Sequence, residues 1–188
     1  MPAREVIRVM NVIEEQQIVT ITYELRENNV EGELLERMDA NYPFIFLFGT
    51  GKLLKSFEDQ LFGLGEEDAF EFTLSPEQAY GPVLPTDIVS VPIHAFKIDG
   101  SIPPNMLVEG NYVALTNEEG RTFNGKILKW NEEEVTVDFN HAMAGKTLHF
   151  KGAVLNIRPA TIDELVRQHY IEDDGVRRPD FGESSSFL

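Results

Sequence analysis

Hydrophobic and polar residues alternate in several short stretches of the chain. In residues 19–25, β-branched, aromatic and aliphatic side chains alternate with threonine and glutamate, and the same period of two returns at residues 70–74. This period is typical of a strand with one buried face. Residues 44–48 are an unbroken apolar run that is too short for a typical helix. They predict a strand that is covered on both faces.

Two short helices are also predicted. Apolar residues recur at helical spacing at positions 53, 54, 57 and 61, and Gly63 follows as a C-terminal cap. Near the C-terminus, Thr161 and Glu164 have the spacing of a capping box. The helix that follows is predicted to have one apolar side, formed by Leu165, Val166 and Tyr170. The interval 27–42 is polar, and Gly32 is its expected turn residue.

The middle of the chain has a different composition. Residues 82–106 contain five prolines and are expected to form a connector rather than a continuous element. Strand-like runs at residues 112–116, 122–130 and 135–139 are joined by short polar turns, which predicts an antiparallel meander. A late apolar strand at residues 148–157 has no partner nearby in the sequence. We therefore expect one domain to be inserted into another, with the late strand completing the outer domain.

The composition is that of an acidic globular protein. The chain has 188 residues, and its 32 acidic and 16 basic residues give a formal net charge of -16. Such a charge repels phosphate backbones and anionic membranes, so the composition excludes nucleic-acid and membrane-surface roles. No apolar run approaches the roughly 20 residues of a membrane span, and acidic residues interrupt the N-terminal stretch where a secretory signal needs an apolar core. The expected location is the cytoplasm.

The reactive side chains form no catalytic or metal-binding motif. There is no cysteine, the GxSxG pattern is absent, and the histidines at positions 94, 141, 149 and 169 lack metal-ligand spacing. His141 is expected to make a structural hydrogen bond in a turn, and His149 and His169 to have packing or surface roles. Neither a metal nor a cofactor is expected. The remaining feature is a high density of aromatic residues, 13 Phe and 5 Tyr, which fits either a packed core or an apolar cleft.

Six segments carry a more specific signal when they are taken together and in order: VTITY at 19–23, PFIFLFGTG at 43–51, the stretch 53–58, LFG at 61–63, AYG at 79–81 and NHAMAGKTLHF at 140–150. This combination resembles the FKBP-type peptidyl-prolyl cis-trans isomerases, in particular the SlyD-like group with a domain inserted in the flap, over most of residues 5–160. The resemblance implies a mainly β, α+β fold, in which an antiparallel half-barrel surrounds a short helix and carries a small inserted β-rich flap domain. The implied division is residues 1–81 plus 141–160 for the isomerase domain, 82–140 for the insert and 161–188 for a C-terminal helix and tail.

The resemblance also implies a prolyl pocket with walls formed by Tyr23, Phe46, Phe57, Tyr80 and Phe150. Leu35, Leu53 and Leu54 would complete it, with the Leu54 backbone N–H and the Tyr80 hydroxyl as donors to substrate carbonyls. Glu36 stands where many members of the family have aspartate, so the resemblance places it among the site residues but leaves open whether the longer carboxylate sits in the pocket.

The function implied is isomerisation of X-Pro bonds in unfolded or partly folded proteins, which needs no cofactor because no bond is made. The insert would bind these clients, and its apolar candidates, some of which also have to form its own core, are Ile88, Val91, Ile93, Phe96 and Met106. Two alternatives stay open: a non-catalytic holdase chaperone that lost its activity through the change at Glu36, and a metal-storage protein, which four separated histidines disfavour. The oligomeric state is also open, because the C-terminal helix could dock on its own domain or pair two subunits.

Overall fold

The computed structural model describes residues 11–117 and 119–172. The N-terminal ten residues, and with them most of a strand-like stretch at 6–13, lie outside this part, as does the C-terminal tail after residue 172. The helices and strands are, in chain order, β1 (Gln17–Glu27), β2 (Leu34–Met38), β3 (Phe44–Leu47), α1 (Lys55–Leu61), β4 (Ala69–Leu74), β5 (Ile88–Pro92), β6 (Tyr112–Thr116), β7 (Thr122–Trp130), β8 (Glu134–Asp138), β9 (Leu148–Pro159) and α2 (Ile162–Arg167).

The chain divides into two compact units. Unit 1 comprises the residues up to Gly81 and from Gly145 onwards, and unit 2 is the intervening segment Pro82–Ala144. The predicted insert ends at residue 140, whereas unit 2 ends at Ala144. Among the described residues, no helix is long and apolar enough to cross a membrane.

The sheet of unit 1 is antiparallel and is built around β1 and β9. Its order is β2-β1-β9-β4, and β3 pairs with the first half of β1, on the same side as β2. The late strand β9 therefore joins β1 to β4, as the sequence pattern predicts for the completion of the outer domain. The mainly β, α+β class is confirmed.

Alternation places one face of β1 in the core. Val19, Ile21, Tyr23 and Leu25 are all buried, and burying each such side chain contributes about 1.5–3 kcal/mol. On β9, Gly152 lies opposite Tyr23, and a Cβ at this position would lie 1.9 Å from the Thr22 carbonyl oxygen. Since that oxygen belongs to the backbone of the neighbouring strand, only glycine allows the two strands to approach at this point.

The polar interval after β1 contains a strand that the pattern did not predict. β2 pairs antiparallel with β1, with Glu36 opposite Leu25, and only Met38 of its residues is buried. β2 lies at the edge of the sheet, where hydrogen bonds to one neighbour maintain the strand and its side chains need not alternate in polarity. Gly32 lies in the turn before β2, as expected.

Helix α1 begins at Lys55, two residues later than the apolar spacing suggests. Leu54 is its N-cap and has an extended backbone, with φ of −56° and ψ of 123°. The helix buries Phe57 and Leu61 against the sheet. Gly63 follows the helix with a φ of +81°, a left-handed conformation that glycine adopts without strain, so the predicted cap residue lies at the helix end.

Unit 2 is a four-stranded antiparallel sheet in the order β5-β8-β7-β6. The predicted meander β6-β7-β8 is confirmed. The expectation of a connector at 82–106 was wrong at Ile88–Pro92, since these residues form the edge strand β5, which pairs with β8. A proline is tolerated there because it ends an edge strand. The small core of the unit consists of Phe96, Ile127, Val135 and Val137.

Helix α2 packs on unit 1 through a charged residue. The capping box is present, because the Thr161 side chain accepts the Glu164 N–H and the Glu164 carboxylate accepts the Thr161 N–H. The predicted apolar side was wrong in part, since Val166 is 77% exposed while Glu164 is 1% exposed. Glu164 faces inward because Arg158 of β9 donates to both of its carboxylate oxygens, at 2.7 and 2.9 Å.

Candidate functional site

Three rings from three distant segments meet in the middle of unit 1. Tyr23 comes from β1, Phe57 from α1 and Phe150 from β9. Their ring centroids are 6.4 Å apart for Tyr23 and Phe57, 5.9 Å for Tyr23 and Phe150, and 5.0 Å for Phe57 and Phe150. All three are at most 1% exposed. Tilted and edge-on contacts at these distances are the favourable arrangements for aromatic pairs, so the rings hold one another in place.

Phe46 extends this group of rings, which we call the aromatic cluster. Its ring lies 6.5 Å from Phe57, and it is 7% exposed. Phe72 was not among the predicted site residues, yet it lies 5.4 Å from Phe150 and 5.8 Å from Phe57. Phe44 was also not among them and stacks on Phe46 at 5.0 Å. The alternation of β4 could have added Phe72 to the predicted site, and the apolar run of β3 could have added Phe44.

Glu36 lies against the aromatic cluster. The Tyr23 hydroxyl donates a hydrogen bond to Glu36 Oε2 at 2.9 Å. The pairing of β1 with β2 sets this contact, since Glu36 lies opposite Leu25, two residues from Tyr23 on the same face of β1. The longer carboxylate therefore stays beside the cluster.

Tyr80 is half-buried at the end of unit 1's first segment. Burial, and to a smaller extent the negative charge of Glu36, raises the pKa of Tyr80 to about 12. The phenol therefore stays protonated at neutral pH and keeps a proton to donate. The turn that carries it is closed by the capping box of Ser75 and Gln78, and the Gly81 N–H donates to the Pro76 carbonyl.

The segment before α1 carries the predicted backbone donor. The carbonyl oxygen of Leu54 accepts the N–H groups of Phe57 and Glu58, at 2.9 and 3.1 Å. Its own N–H, by contrast, donates to no acceptor within the described part of the chain. Leu53 and Leu54 are both half-buried, as is Leu35 on β2. A half-buried amide without an acceptor can bind a carbonyl oxygen of a ligand.

The predicted client-binding residues of unit 2 lie mainly in its core. Phe96 is 2% exposed, and Val91, Ile93 and Met106 pack against the core that it belongs to. Ile88 is half-buried on the edge strand β5. Their burial fits a structural role in the small core of unit 2. The exposed apolar side chains of this unit include Ile98, Tyr112, Phe123 and Trp130.

Unit 2 also has a groove of about 430 Å³ beside β6. Its lining includes Phe96, Ile98 and Met106 on one side and residues 111–115 on the other. β6 is the edge strand of the sheet, so one row of its backbone N–H and C=O groups has no neighbouring strand. A groove with mixed polar and apolar lining beside an open strand edge is a surface to which an extended chain can add.

The histidines have structural partners. His141 Nδ1 accepts the Met143 N–H at 3.1 Å, which confirms the predicted structural hydrogen bond, and burial lowers the pKa of His141. His149 is 7% exposed, with its Nδ1 2.9 Å from the Thr73 hydroxyl and its Nε2 3.4 Å from a carboxylate oxygen of Glu71. Within residues 11–117 and 119–172, no three His, Asp or Glu side chains are grouped closely enough to hold a metal ion.

Comparison with known proteins adds family information to this geometry. Residues 11–151 match the sequence model of a family described as FKBP-type peptidyl-prolyl cis-trans isomerase. The chain is 35% identical over 153 residues to the FKBP-type peptidyl-prolyl cis-trans isomerase SlyD of Aeromonas hydrophila, an alignment that covers 81% of this chain and 68% of the relative. The SlyD protein of Treponema pallidum is 31% identical over 148 residues, 79% of this chain and 80% of the relative. A probable FKBP-type 16 kDa isomerase of Pseudomonas fluorescens is 31% identical over 153 residues, 78% and 96% of the two chains.

Proposed function

The chain belongs to the family of FKBP-type peptidyl-prolyl cis-trans isomerases, and we propose that its aromatic cluster, with the adjoining Leu54 and Tyr80, is where the X-Pro bond rotates. The observation that carries this proposal is the convergence of Tyr23, Phe57 and Phe150 from three separate elements. Its substrates are proline-containing segments of unfolded or partly folded proteins.

Rotation about an X-Pro bond does not require a reactive side chain. Rotation about an X-Pro bond has a barrier of about 18–20 kcal/mol because amide resonance is lost on the way. No covalent bond forms or breaks, so neither a nucleophile nor a cofactor takes part. Each factor of ten in rate requires only about 1.4 kcal/mol of preferential binding of the twisted amide. Apolar walls with a few well-placed donors are sufficient for this.

The residues of the site then have distinct roles. The pyrrolidine ring lies against the aromatic cluster, and the fully buried rings of Phe57 and Phe150 form the packed base of that wall. This apolar surrounding disfavours the planar, more dipolar amide relative to the twisted one. The Leu54 N–H and the Tyr80 hydroxyl donate to substrate carbonyl oxygens. Glu36 accepts the Tyr23 hydroxyl and so fixes the orientation of that ring. Leu35 and Leu53 complete the apolar rim.

A proline-limited refolding assay on the full chain tests the site. We expect Phe150→Leu to lower kcat/KM about tenfold or more, and Tyr80→Phe to lower it several-fold, since each change removes one wall or one donor. Tyr42→Phe is the matched control, because Tyr42 is 70% exposed and the same hydroxyl is removed. Unfolding of each variant is measured in parallel. Folded Tyr80 and Phe150 variants with the activity of the unmodified protein would show that rotation takes place elsewhere.

We further propose that unit 2 binds the unfolded client through the groove beside β6. The support is the combination of an open strand edge with exposed apolar side chains such as Ile98 and Tyr112, since an extended client can pair with the edge and place alternate side chains in the groove. Of the buried candidates, Phe96 and Met106 line this groove, whereas Val91 and Ile93 only pack against the core of the unit, and Ile88 lies on the opposite edge strand.

Client binding is tested by aggregation of an unfolded protein in the presence of the full chain. We expect Tyr112→Ser together with Ile98→Ser to weaken the suppression of aggregation, while kcat/KM on a short proline peptide stays unchanged. Trp130→Ser is the control, because Trp130 is 50% exposed on unit 2 but does not line the groove. Equal suppression by the double variant and the unmodified chain would place the client elsewhere on the protein.

A further inference from the structure

Helix α1 turns two neighbouring residues inward, and only one of them has a role in the proposed site. Phe57 is a ring of the aromatic cluster, whereas Glu58 is a carboxylate that is only 9% exposed. Burial raises the pKa of Glu58, while the hydrogen bond from the Gly49 N–H lowers it. The negative charges of Asp59 and Glu15 raise this pKa further, and the positive charge of Lys55 lowers it. Burying a carboxylate costs free energy, so a position that retains one calls for an explanation.

The partners of Glu58 give that explanation, because this residue touches both ends of one turn. Its side-chain Oε1 accepts the Gly49 N–H at 3.1 Å, and Gly49 lies two residues after the end of β3 at Leu47. Its own backbone N–H donates to the Leu54 carbonyl oxygen, also at 3.1 Å. Gly49 lies near the start and Leu54 at the end of the connection between β3 and α1, and we call residues 49–54 the 49–54 turn.

The 49–54 turn has few other internal restraints. The Thr50 hydroxyl reaches the Leu47 carbonyl oxygen at 3.5 Å and accepts the Lys52 N–H at 3.4 Å, both long for hydrogen bonds. The turn ends at Leu53 and Leu54, which line the proposed site. The Leu54 carbonyl oxygen is bound by the Phe57 and Glu58 N–H groups of α1, so a shift of the turn acts on the Leu53–Leu54 peptide, which carries the Leu54 N–H.

We infer that Glu58 is a positioning residue for prolyl isomerisation: its carboxylate fixes the 49–54 turn so that the Leu54 N–H and the Leu53 side chain meet the substrate. The inference rests on the proposed site. Glu58 itself does not touch the substrate, and what it supplies is an acceptor oxygen at a defined place. Displacement of a positioning group by about 1 Å can lower a rate by up to about a hundredfold.

The test compares Glu58→Leu with Glu58→Gln in the full chain. Leucine keeps the bulk and removes the acceptor, while glutamine keeps an acceptor oxygen without the charge. We expect kcat/KM on a proline tetrapeptide to fall about tenfold in Glu58→Leu and to return to within about threefold of the unmodified protein in Glu58→Gln. Asp68→Leu and Asp68→Asn are the matched pair, because Asp68 Oδ2 likewise accepts a glycine amide, that of Gly65, at 2.7 Å in a turn apart from the cluster.

The outcomes separate this inference from the site on which it rests. Loss of activity in Glu58→Leu that is restored in Glu58→Gln, with both Asp68 variants fully active, supports it. A folded Glu58→Leu protein with unchanged kcat/KM overturns it. If Phe150→Leu and Tyr80→Phe are also fully active, the site assignment fails as well; if they are impaired, only the role of Glu58 fails.

A measurement on the unmodified protein keeps the inference testable should Glu58→Leu not fold. Amide hydrogen exchange of Gly49 is expected to be slowed, as is that of Phe48, whose N–H donates to the Gln17 carbonyl oxygen at 2.9 Å. Exchange of Gly49 at the rate of an unstructured peptide, with Phe48 still protected, would mean that the carboxylate does not hold the turn.

Discussion

Units 1 and 2 use apolar residues in different ways. In unit 1 the rings of the aromatic cluster are buried against one another, and Phe57 and Phe150 have no exposed surface, while Tyr42 and Phe62 outside the cluster are exposed. In unit 2 the core of four buried residues contains a single ring, Phe96, while Tyr112 and Trp130 are at least half exposed. A packed set of rings has one arrangement and suits a site that must fit a single chemical group. Scattered exposed apolar residues tolerate many sequences, which suits a surface for unfolded chains.

Removing unit 2 should separate client binding from prolyl isomerisation, and we expect this change to have the largest effect. The Gly145 N–H donates to the Gly81 carbonyl oxygen at 2.8 Å, so a short glycine linker can replace Pro82–Ala144 without separating these ends. We expect the shortened protein to lose its suppression of client aggregation and to keep most of its kcat/KM on a tetrapeptide. The comparison with the full chain uses both assays on the same preparations. Retained suppression would assign client binding to unit 1 and contradict the division of labour.

Two close-packed strand glycines, one in each unit, provide the next largest contrast. A Cβ at Gly152 of unit 1 would lie 1.9 Å from a backbone oxygen, whereas at Gly125 of unit 2 it would lie 2.3 Å from the Val137 side chain. A strand backbone cannot move aside as a side chain can, so we expect Gly152→Ala to destabilise by more than about 3 kcal/mol and Gly125→Ala by about 1–3 kcal/mol. Denaturant unfolding measures both.

Gly65→Ala is the control for this pair, because its Cβ would meet nothing closer than 3.5 Å. It should change the free energy of unfolding by less than about 1 kcal/mol. Equal destabilisation by Gly125→Ala and Gly152→Ala would indicate that unit 2 is packed as tightly as unit 1, and the contrast between the two cores would fail.

Low pH is expected to lower the stability of unit 1, because it protonates Glu164 in α2. Burial alone would raise the pKa of Glu164, but hydrogen bonds from Arg158, Thr161 and Ile171 overcome it and lower the pKa to about 2. A carboxyl whose pKa falls on folding adds stability above its unfolded pKa of about 4.5 and loses it as the pH drops towards 2. This contribution is about 3 kcal/mol.

The measurement is the free energy of unfolding between pH 7 and pH 3 for the unmodified chain and Glu164→Gln. The variant should be less stable at pH 7 and should lose less stability on acidification. Asp59→Asn removes the exposed ion pair with Lys55 and should change stability by less than about 1 kcal/mol. Parallel pH curves for Glu164→Gln and the unmodified chain would contradict the assignment.

The sequence predicted the parts of both units in which side-chain polarity follows the backbone period. β1 and β6 alternate clearly. Of the aromatic residues of the site, Tyr23 stands on β1 and Phe57 on α1, whereas Phe46 lies on the continuous apolar run of β3 and Tyr80 in the turn after β4. The edge strand β2 was missed, because pairing with one neighbour maintains it without a clear apolar pattern. The edge strand β5 was missed because the prolines of residues 82–106 indicated a connector. The inward direction of Glu164 was also missed, since it depends on Arg158 of β9 and not on the polarity of α2 itself. The family resemblance named the rings of the site, but the contact between Tyr23 and Glu36 required the register of β1 with β2.

The smallest expected effect tests whether Glu36 belongs to the rigid core of unit 1. The 2.9 Å hydrogen bond from Tyr23 to Glu36 contributes about 1 kcal/mol, so Tyr23→Phe and Glu36→Leu should show a coupling energy of that size in a double-mutant cycle of stability. Glu36→Asp, which shortens the side chain by one methylene, should lose part of it. The same cycle on kcat/KM is expected to show a coupling of similar size, because the ring of Tyr23 lies within the aromatic cluster. Coupling in stability without coupling in activity would make Glu36 a residue of the fold alone, and the substitution of glutamate for aspartate would then be neutral for catalysis.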